Sequence, residues 1–504
     1  MRQTPSSYPV PEPAYFERIL RHDPTSLTRL IATSSAAVPF ARTPAPQGLN
    51  PLAPWALLDV AWISLARGRD NRRPATAQDL NEILNLFWAL DDPVTEEPAG
   101  MERWEGFLQR TIHHQAPWQE DNYSQLSRTI AWLSQTPYPA DSDDPLKAIV
   151  PGWDDTLLGC SLADYLGIAN LVWGCATAHP NPRRRGRFAV NWYPSEDYDQ
   201  FDGIRSPKQI KAVLNQHLVT TTNKLRASFP ANHDPLRRRY GHNPLRSTPL
   251  VGGVPGGYLV PVPAAVLDKA SPLGLYYTGG NNMSAWGKSF TNDVGKLFEQ
   301  YVGRHLDLLH DATVRPETLV KISKGESKKT VDFFVVFPNL VLLIEVKSTR
   351  SNEDLRAGGP EFATLLKGTP VNKGFEQINR SVDFLRSGKH AELDGIPTDR
   401  RMIGMVVTAE PFHQINTPAQ RQHLPQTTIP VMVTAIAELE QAVTITGASL
   451  ADLLCAAVDA DAVDLRQMFP QYEFLENNAV LEQGWSAIPF ARPRRPRADD
   501  GAVA

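Results

Sequence analysis

Hydrophobic positions along the chain follow two rhythms. Across 1–150 they recur at helical spacing and are interrupted by prolines, which predicts helices over 14–33, 52–67, 76–91, 101–112 and 123–134. The 76–90 segment is the clearest: a cap-type Thr76, then Leu80, Ile83, Leu84, Phe87 and Trp88 on one face. Another helix is expected over 161–179, where an amphipathic core helix accounts for the pattern as well as half of a helix-turn-helix would. Beyond 280 the rhythm changes. A helix over 291–309 carries Val294, Leu297, Phe298, Tyr301, Val302, His305, Leu306 and Leu309 at helical spacing, with Thr291, Asn292 and Asp293 as its capping residues. Two apolar runs rich in β-branched and aromatic residues follow, VDFFVVF (331–337) and LVLLIEVKS (340–348), around the turn pair Pro338-Asn339. They predict a β-hairpin. Helices over 372–388, 435–443 and 449–470 and strands over 402–408 and 429–434 complete the pattern. Strands alternating with helices imply a mixed α/β sheet.

A chain of 504 residues has material for two to four domains. The expected class is a multidomain α+β protein. A helical domain spans 1–160, and a basic, Gly/Pro-rich intermediate region spans 161–280, with 247–280 an irregular β segment or linker. An α/β domain with a mixed central sheet spans 281–445, a helical closing segment 446–488, and a disordered tail 489–504.

The hairpin carries the chemistry. Pairing Phe337 with Leu340 across the turn sets 336 against 341, 335 against 342, 334 against 343 and 333 against 344, and so brings Asp332 opposite Glu345. Opposed residues on antiparallel strands have Cβ atoms roughly 4.5–5.5 Å apart. Lys347 is two residues from Glu345 and shares its face. Two carboxylates and a lysine thus converge at the end of an oily hairpin, where unpaired charge is costly. An oxygen-only pair of carboxylates suits a hard cation such as Mg²⁺, which Mn²⁺ can replace. A lysine beside such an ion can orient an attacking water and steady developing negative charge. The plainer alternative is a lysine bridging two carboxylates where the sheet meets solvent.

Asp332 followed by Glu345-Val346-Lys347 resembles the PD-(D/E)XK nuclease superfamily, although Val331 stands where the family name has proline. The resemblance covers about 280–440. It implies a restriction-endonuclease-like fold for the 281–445 domain, with Asp332 and Glu345 as metal ligands and Lys347 as the catalytic lysine. It further implies a supporting acid on the preceding helix, for which Glu299 is the candidate, with Gly295 one turn earlier leaving open space beside it. A polar helix after the hairpin is also implied. The 372–388 segment matches, with Lys373, Gln377 and Arg380 on one face, and Gln377 and Lys373 assisting at the scissile phosphate.

Charge refines this picture. The net charge is −4, so contact with nucleic acid must come from local patches. Residues 1–150 hold 18 Asp or Glu against 13 Lys or Arg, whereas 183–246 hold thirteen Lys or Arg against five acids. The clusters Arg183, Arg184, Arg185 and Arg237, Arg238, Arg239, with Phe188, Trp192, Tyr193 and Tyr198 between them, suit contact with a phosphate backbone and stacking on bases. Docking of this basic region on the acidic N-terminal half is the alternative. Lys328 and Lys329 lead into the strand bearing Asp332 and, with Arg380, extend the expected nucleic-acid surface. His113-His114 has no third ligand at metal spacing and reads as a partly exposed loop pair. The stretch 278–289 has six residues between Gly280 and Gly287, not the four a Walker loop requires, which argues against an ATP site. Cys160, Cys175 and Cys455 match no zinc or redox spacing and read as buried thiols of a cytoplasmic protein. No apolar run reaches the roughly 18 residues of a membrane span.

These readings lead to one expectation: a cytoplasmic, Mg²⁺-dependent endonuclease acting on DNA, in restriction or anti-phage defence, with self-association left open. A non-cleaving module on the same fold, binding nucleic acid or protein, and an RNase are the alternatives.

Overall fold

The hairpin around Pro338-Asn339 forms in the expected register. Phe333–Val336 pairs antiparallel with Leu340–Lys347, running from Phe333 opposite Ile344 to Val336 opposite Val341. The Phe337 N–H closes the turn on the Leu340 carbonyl at 2.8 Å. The two strands sit inside a five-stranded sheet ordered Val431–Ala435, Arg401–Thr408, Leu340–Lys347, Phe333–Val336 and Thr313–Pro316. The Arg401–Thr408 strand runs parallel to both neighbours, and the remaining pairings are antiparallel. The protein is thus mixed α/β around a mixed sheet. The computed structural model describes residues 9–36, 52–91, 101–115, 118–177, 191–192, 206–230, 235–254, 257–281, 286–348, 353–357 and 362–489. Among these, no helix is long and apolar enough to cross a membrane.

Both faces of the hairpin are covered, which explains why its strands are continuous apolar runs with no simple alternation. Phe333, Val335, Leu342, Ile344 and Val346 enter one core. Phe334, Val341 and Leu343 enter another. The long helix Gly287–Leu306 lies over the first face. A Cβ on its Gly303 would stand 3.2 Å from Phe333. The flanking helix Pro370–Ser387 lies over the second and inserts Phe375, Ile378, Val382 and Leu385. Its Gly374 approaches the sheet so closely that a Cβ would be 3.2 Å from Val406 and 3.5 Å from Glu345.

The long helix begins earlier than its cap-type residues suggest. Its N-cap is Trp286, without a side-chain cap bond. Asp293 therefore does not cap the helix. It is buried inside it, and Oδ2 accepts the backbone N–H groups of Lys147, Ala148 and Ile149 at 2.7, 2.6 and 3.0 Å. Three successive donors from a distant loop find one ionised acceptor, which pins that loop to the long helix.

In the N-terminal region the helix expected over 14–33 is two, Glu12–Leu20 and Pro24–Ala36. Pro24 lacks the N–H a continuous helix needs and clashes with the preceding turn. These helices pack with Pro54–Arg67 and Ala77–Trp88 around Tyr15, Ile31, Leu57, Ile63 and Leu84. The 247–280 segment is more ordered than its glycines and prolines imply. It holds the strands Leu250–Val254 and Gly257–Leu259 and the helices Ala264–Ala270 and Pro272–Gly280. Pro272 serves at a helix start, where a missing N–H costs nothing. The strands alternate between cores: Leu250 and Val260 enter the large one, Val251 and Leu259 the N-terminal one.

Buried ionic bonds tie remote segments together. Arg128, on the helix Asn122–Leu133, places Nε and Nη2 on the two oxygens of Glu440 at 2.7 and 2.6 Å, and Nη1 on Glu120 at 2.6 Å. Tyr301 of the long helix donates to the same Glu440 at 2.7 Å.

Asp293→Ala leaves three backbone donors without their acceptor, two of them on the buried Ala148 and Ile149. Leaving a buried donor unsatisfied costs about 1–3 kcal/mol. Chemical denaturation is expected to show a loss of at least about that size, with Asp293→Asn retaining part of it. Unchanged stability in the alanine variant would show that the 147–149 loop holds without this carboxylate.

Candidate active site

Asp332 directly precedes its strand, and Glu345 and Lys347 lie near the end of theirs. Their side chains share the parity of Phe334, Val341 and Leu343, and so face the flanking helix. Asp332 Oδ2 accepts the Val346 N–H at 2.6 Å, a bond that locks the carboxylate against the neighbouring strand. Glu345 is wholly enclosed. Its Oε1 pairs with the Lys347 ammonium, and its Oε2 has no hydrogen-bond partner among the described residues. Lys347 also donates to Gln377 Oε1 at 3.1 Å, so the flanking helix fixes the ammonium from above. Asp332, Glu345 and Lys347, which the hairpin register brought together in the sequence, are joined at this sheet end by Gln377 from the flanking helix.

Glu299 comes from the long helix, which covers the opposite face, yet its charge is felt at the same end. Burial pushes its carboxyl up to about 7, and Asp332 and Glu317 add to the shift. Burial likewise raises Asp332 to about 6, with Lys347 opposing the shift most strongly. Glu345 rises to about 8, first by burial and then by the charge of Asp332. A Cβ on Gly295 would stand 3.1 Å from the Ser348 hydroxyl, and both residues line an open cleft of about 380 Å³.

Glu317 was missed by the sequence reading. Pro316 pairs with Phe333, so the next residue continues toward Asp332. Its carboxylate raises all three neighbouring acids and pairs with Lys329 at 2.7 Å. The strand Thr313–Pro316 is four residues long and exposed, too short for a periodic signal. That is why the acid at its end went unnoticed.

The donor set consists of oxygen alone: the carboxylates of Asp332, Glu345 and Glu299. Among the described residues no three His, Cys, Asp or Glu side chains already form a metal-holding group. A hard cation of the Mg²⁺ kind needs only one or two protein carboxylates and completes its shell with water and substrate phosphate. The unpartnered Glu345 Oε2 and three carboxyls held above their ordinary range fit such an ion, which would lower the proton affinity of each.

The expected nucleic-acid residues divide. Lys373 is exposed on the flanking helix. Arg380 lies on the same helix and donates to the Lys329 carbonyl at 3.1 Å. Lys328 and Lys329 belong to a two-stranded hairpin, Leu319–Ser323 with Glu326–Lys329, which projects Leu319 and Ile322 outward as well. Their ammonium groups pair with Glu326 and Glu317. Arg183, Arg184 and Arg185 lie outside the described residues, as does the side chain of Arg237.

Arg238 and Arg239 depart from the expectation. Both are buried. Arg238 forms ion pairs with Glu12 and Asp59 and lies over the Phe16 ring. Arg239 donates to the Asp91 carbonyl at 2.7 Å. These two arginines do not present a surface to a phosphate backbone, since their carboxylate and carbonyl partners are internal. They dock the helix Pro235–Tyr240 onto the acidic N-terminal region. His114 is likewise no loop residue. It lies on the helix Met101–Gln115 and packs against Trp55 and Tyr240.

No family of known proteins, no curated protein and no solved structure matches the chain.

Two predictions follow from this geometry. Removing one partner of a buried ion pair costs about 3–5 kcal/mol, so Arg238→Ala should lower unfolding stability on that scale without altering the hairpin's chemistry. A near-neutral effect would release Arg238 from the docking role. The second concerns pH. A carboxyl whose folded pKa is raised holds its proton longer when folded. Its favourable contribution is complete below the unfolded value of about 4.3 and is lost as pH rises through about 8. In chelator, Glu345→Gln, permanently neutral, should gain melting temperature relative to wild type as pH climbs through that window. A difference that is flat or falls with pH would mean Glu345 is ionised and satisfied as it stands.

Proposed function

We propose that the protein is a divalent-cation-dependent nuclease of PD-(D/E)XK type that hydrolyses phosphodiester bonds in DNA. The observation that carries this reading is the enclosed Glu345, with one oxygen unpartnered, beside Asp332 and beside a lysine held by Gln377. A helix, a hairpin bearing Asp332 and Glu345-Val346-Lys347, and a second polar helix stand in the order expected of a restriction-endonuclease-like domain, which supports the same reading.

The reaction places a water oxygen on phosphorus and breaks one ester P–O bond. The water's proton is lost to solvent or a phosphate oxygen, and the leaving alkoxide takes one up. The cation, when bound by Asp332 and Glu345 with support from Glu299, supplies positive charge to the phosphate oxygens. Asp332 is held in place by the Val346 N–H, so its carboxylate is oriented before any ligand arrives. Lys347 orients the attacking water and offsets negative charge that builds at phosphorus. Gln377, donor and acceptor on one amide, fixes that ammonium and can meet a phosphate oxygen. Lys373, Arg380, Lys328 and Lys329 flank this end of the sheet and are suited to guiding the backbone toward it.

Lys347 separates a nuclease from a binding module. An interaction made only in the transition state lowers rate when lost and barely changes ground-state affinity. Lys347→Ala should cut cleavage of DNA in Mg²⁺ by roughly 10²-fold or more, with affinity reduced by no more than one phosphate contact implies. Lys347→Met preserves the aliphatic stem and controls for packing. Wild-type protein inert on linear, supercoiled and single-stranded DNA and on RNA, with any divalent cation, would point to the module. Cleavage of RNA alone would make it an RNase.

A further inference from the structure

Away from the hairpin, five arginines line one cleft: Arg110, Arg238, Arg239, Arg246 and Arg356. They come from four separated segments, the helices Met101–Gln115, Pro235–Tyr240, Pro244–Ser247 and Glu353–Ala357. Gathering this many guanidinium groups is unfavourable unless something negative answers them.

The internal acids answer only some. Glu12 and Asp59 hold Arg238. Asp268 holds Arg246 through two bonds, at 2.9 and 3.0 Å. Glu410 holds Arg356 at 3.0 Å. Arg239 has no carboxylate among the described residues. Its Nη1 meets the Asp91 carbonyl, and its Nε is buried without a hydrogen-bond partner. Arg239 is only 8% exposed, so bulk water reaches little of it. A neighbouring imidazole responds to the same field. His114 is lowered to about 3, by burial first and then by Arg246, Arg239 and Arg238.

The walls also limit what can enter. Arg246 lies over Trp118 and Arg110 over Tyr240, so guanidinium planes already occupy these ring faces and leave little for a base to stack on. The free interior is about 20 Å³. One water needs about 10–15 Å³, so this interior admits no more than the terminal oxygens of a small group and excludes a sugar or an unbroken nucleic-acid strand. Arginine forks match phosphate oxygens in geometry and charge.

We propose that this cleft binds a terminal phosphate, either inorganic phosphate or the monoester end of a nucleotide or oligonucleotide, with Arg239 as its principal donor. The site is independent of the nuclease reading. The helix Glu353–Ala357, which carries Arg356, follows the Lys347 strand in sequence and packs on both Met101–Gln115 and Pro235–Tyr240.

The test is calorimetry and thermal shift on the full chain in chelator, so that no cleavage interferes. The probes are inorganic phosphate, adenosine 5′-monophosphate, and one tetranucleotide with either a 5′-phosphate or a 5′-hydroxyl. Binding of phosphate and the mononucleotide would identify a free small anion as the source. Binding of the phosphorylated tetranucleotide alone would identify a strand end. In either case Arg239→Gln should weaken binding at least about tenfold, as loss of a charged hydrogen bond implies. If that variant melts early without ligand, Arg356→Gln at the other side of the cleft should weaken the same probe. The proposal is overturned if no phosphate probe binds at millimolar concentration, if the hydroxyl and phosphate tetranucleotides bind alike, or if both folded variants match wild type.

Discussion

A carboxylate sealed inside an apolar hairpin is the constraint around which this chain is arranged. Glu345 is fully enclosed between the sheet and the flanking helix, in a place where ionisation is unfavourable. Everything nearby bears on that difficulty. Lys347 pairs with one oxygen, Gln377 anchors Lys347, and Asp332 is turned onto a backbone N–H, so its second oxygen stays available. Gly374 is part of the same arrangement, because any side chain there would press on Val406 and on the Glu345 stem. Stability alone would favour leucine at 345. The unused oxygen of this buried acid is the observation on which the proposed cation site rests.

The same accounting of buried charge explains how distant parts of the sequence are joined. Arg128 and Glu440 are far apart in the chain and form a two-bond pair that Tyr301 completes. Asp293 gathers the 147–149 backbone, and Arg238 clamps Glu12 and Asp59. These bonds are buried or partly buried, and those of Arg128 and Asp293 tie segments from the first part of the chain to Glu440 and to the long helix. The N-terminal helices therefore act as a frame for the sheet domain as much as a unit of their own.

Two charged clusters then stand out for what their internal partners leave unanswered. At the hairpin the excess is negative, with Glu317 adding to Asp332, Glu345 and Glu299. In the arginine cleft it is Arg239 whose buried Nε lacks a partner. The short helix bearing Arg356 packs on the helices that carry Arg110 and Arg239.

The sequence by itself determined the hairpin, its register and the meeting of Asp332 with Glu345 and Lys347. All of these follow from local rules: two apolar runs, one turn pair, and the period of two along a strand. It also located the longest helices, because their apolar stripes are long enough to read. It misjudged what depends on partners remote in the chain. Pro24 split a helix whose stripe looked continuous. Asp293 looked like a cap and became an acceptor for a loop brought from elsewhere. Glu317 carried no signal, since its strand is short and its meaning arises only beside Asp332. Arg238 and Arg239 read as a basic patch because composition reports charge but not burial. Only the tertiary structure, by bringing Glu12, Asp59 and Asp91 against them, turned a presumed nucleic-acid surface into the interior of the protein.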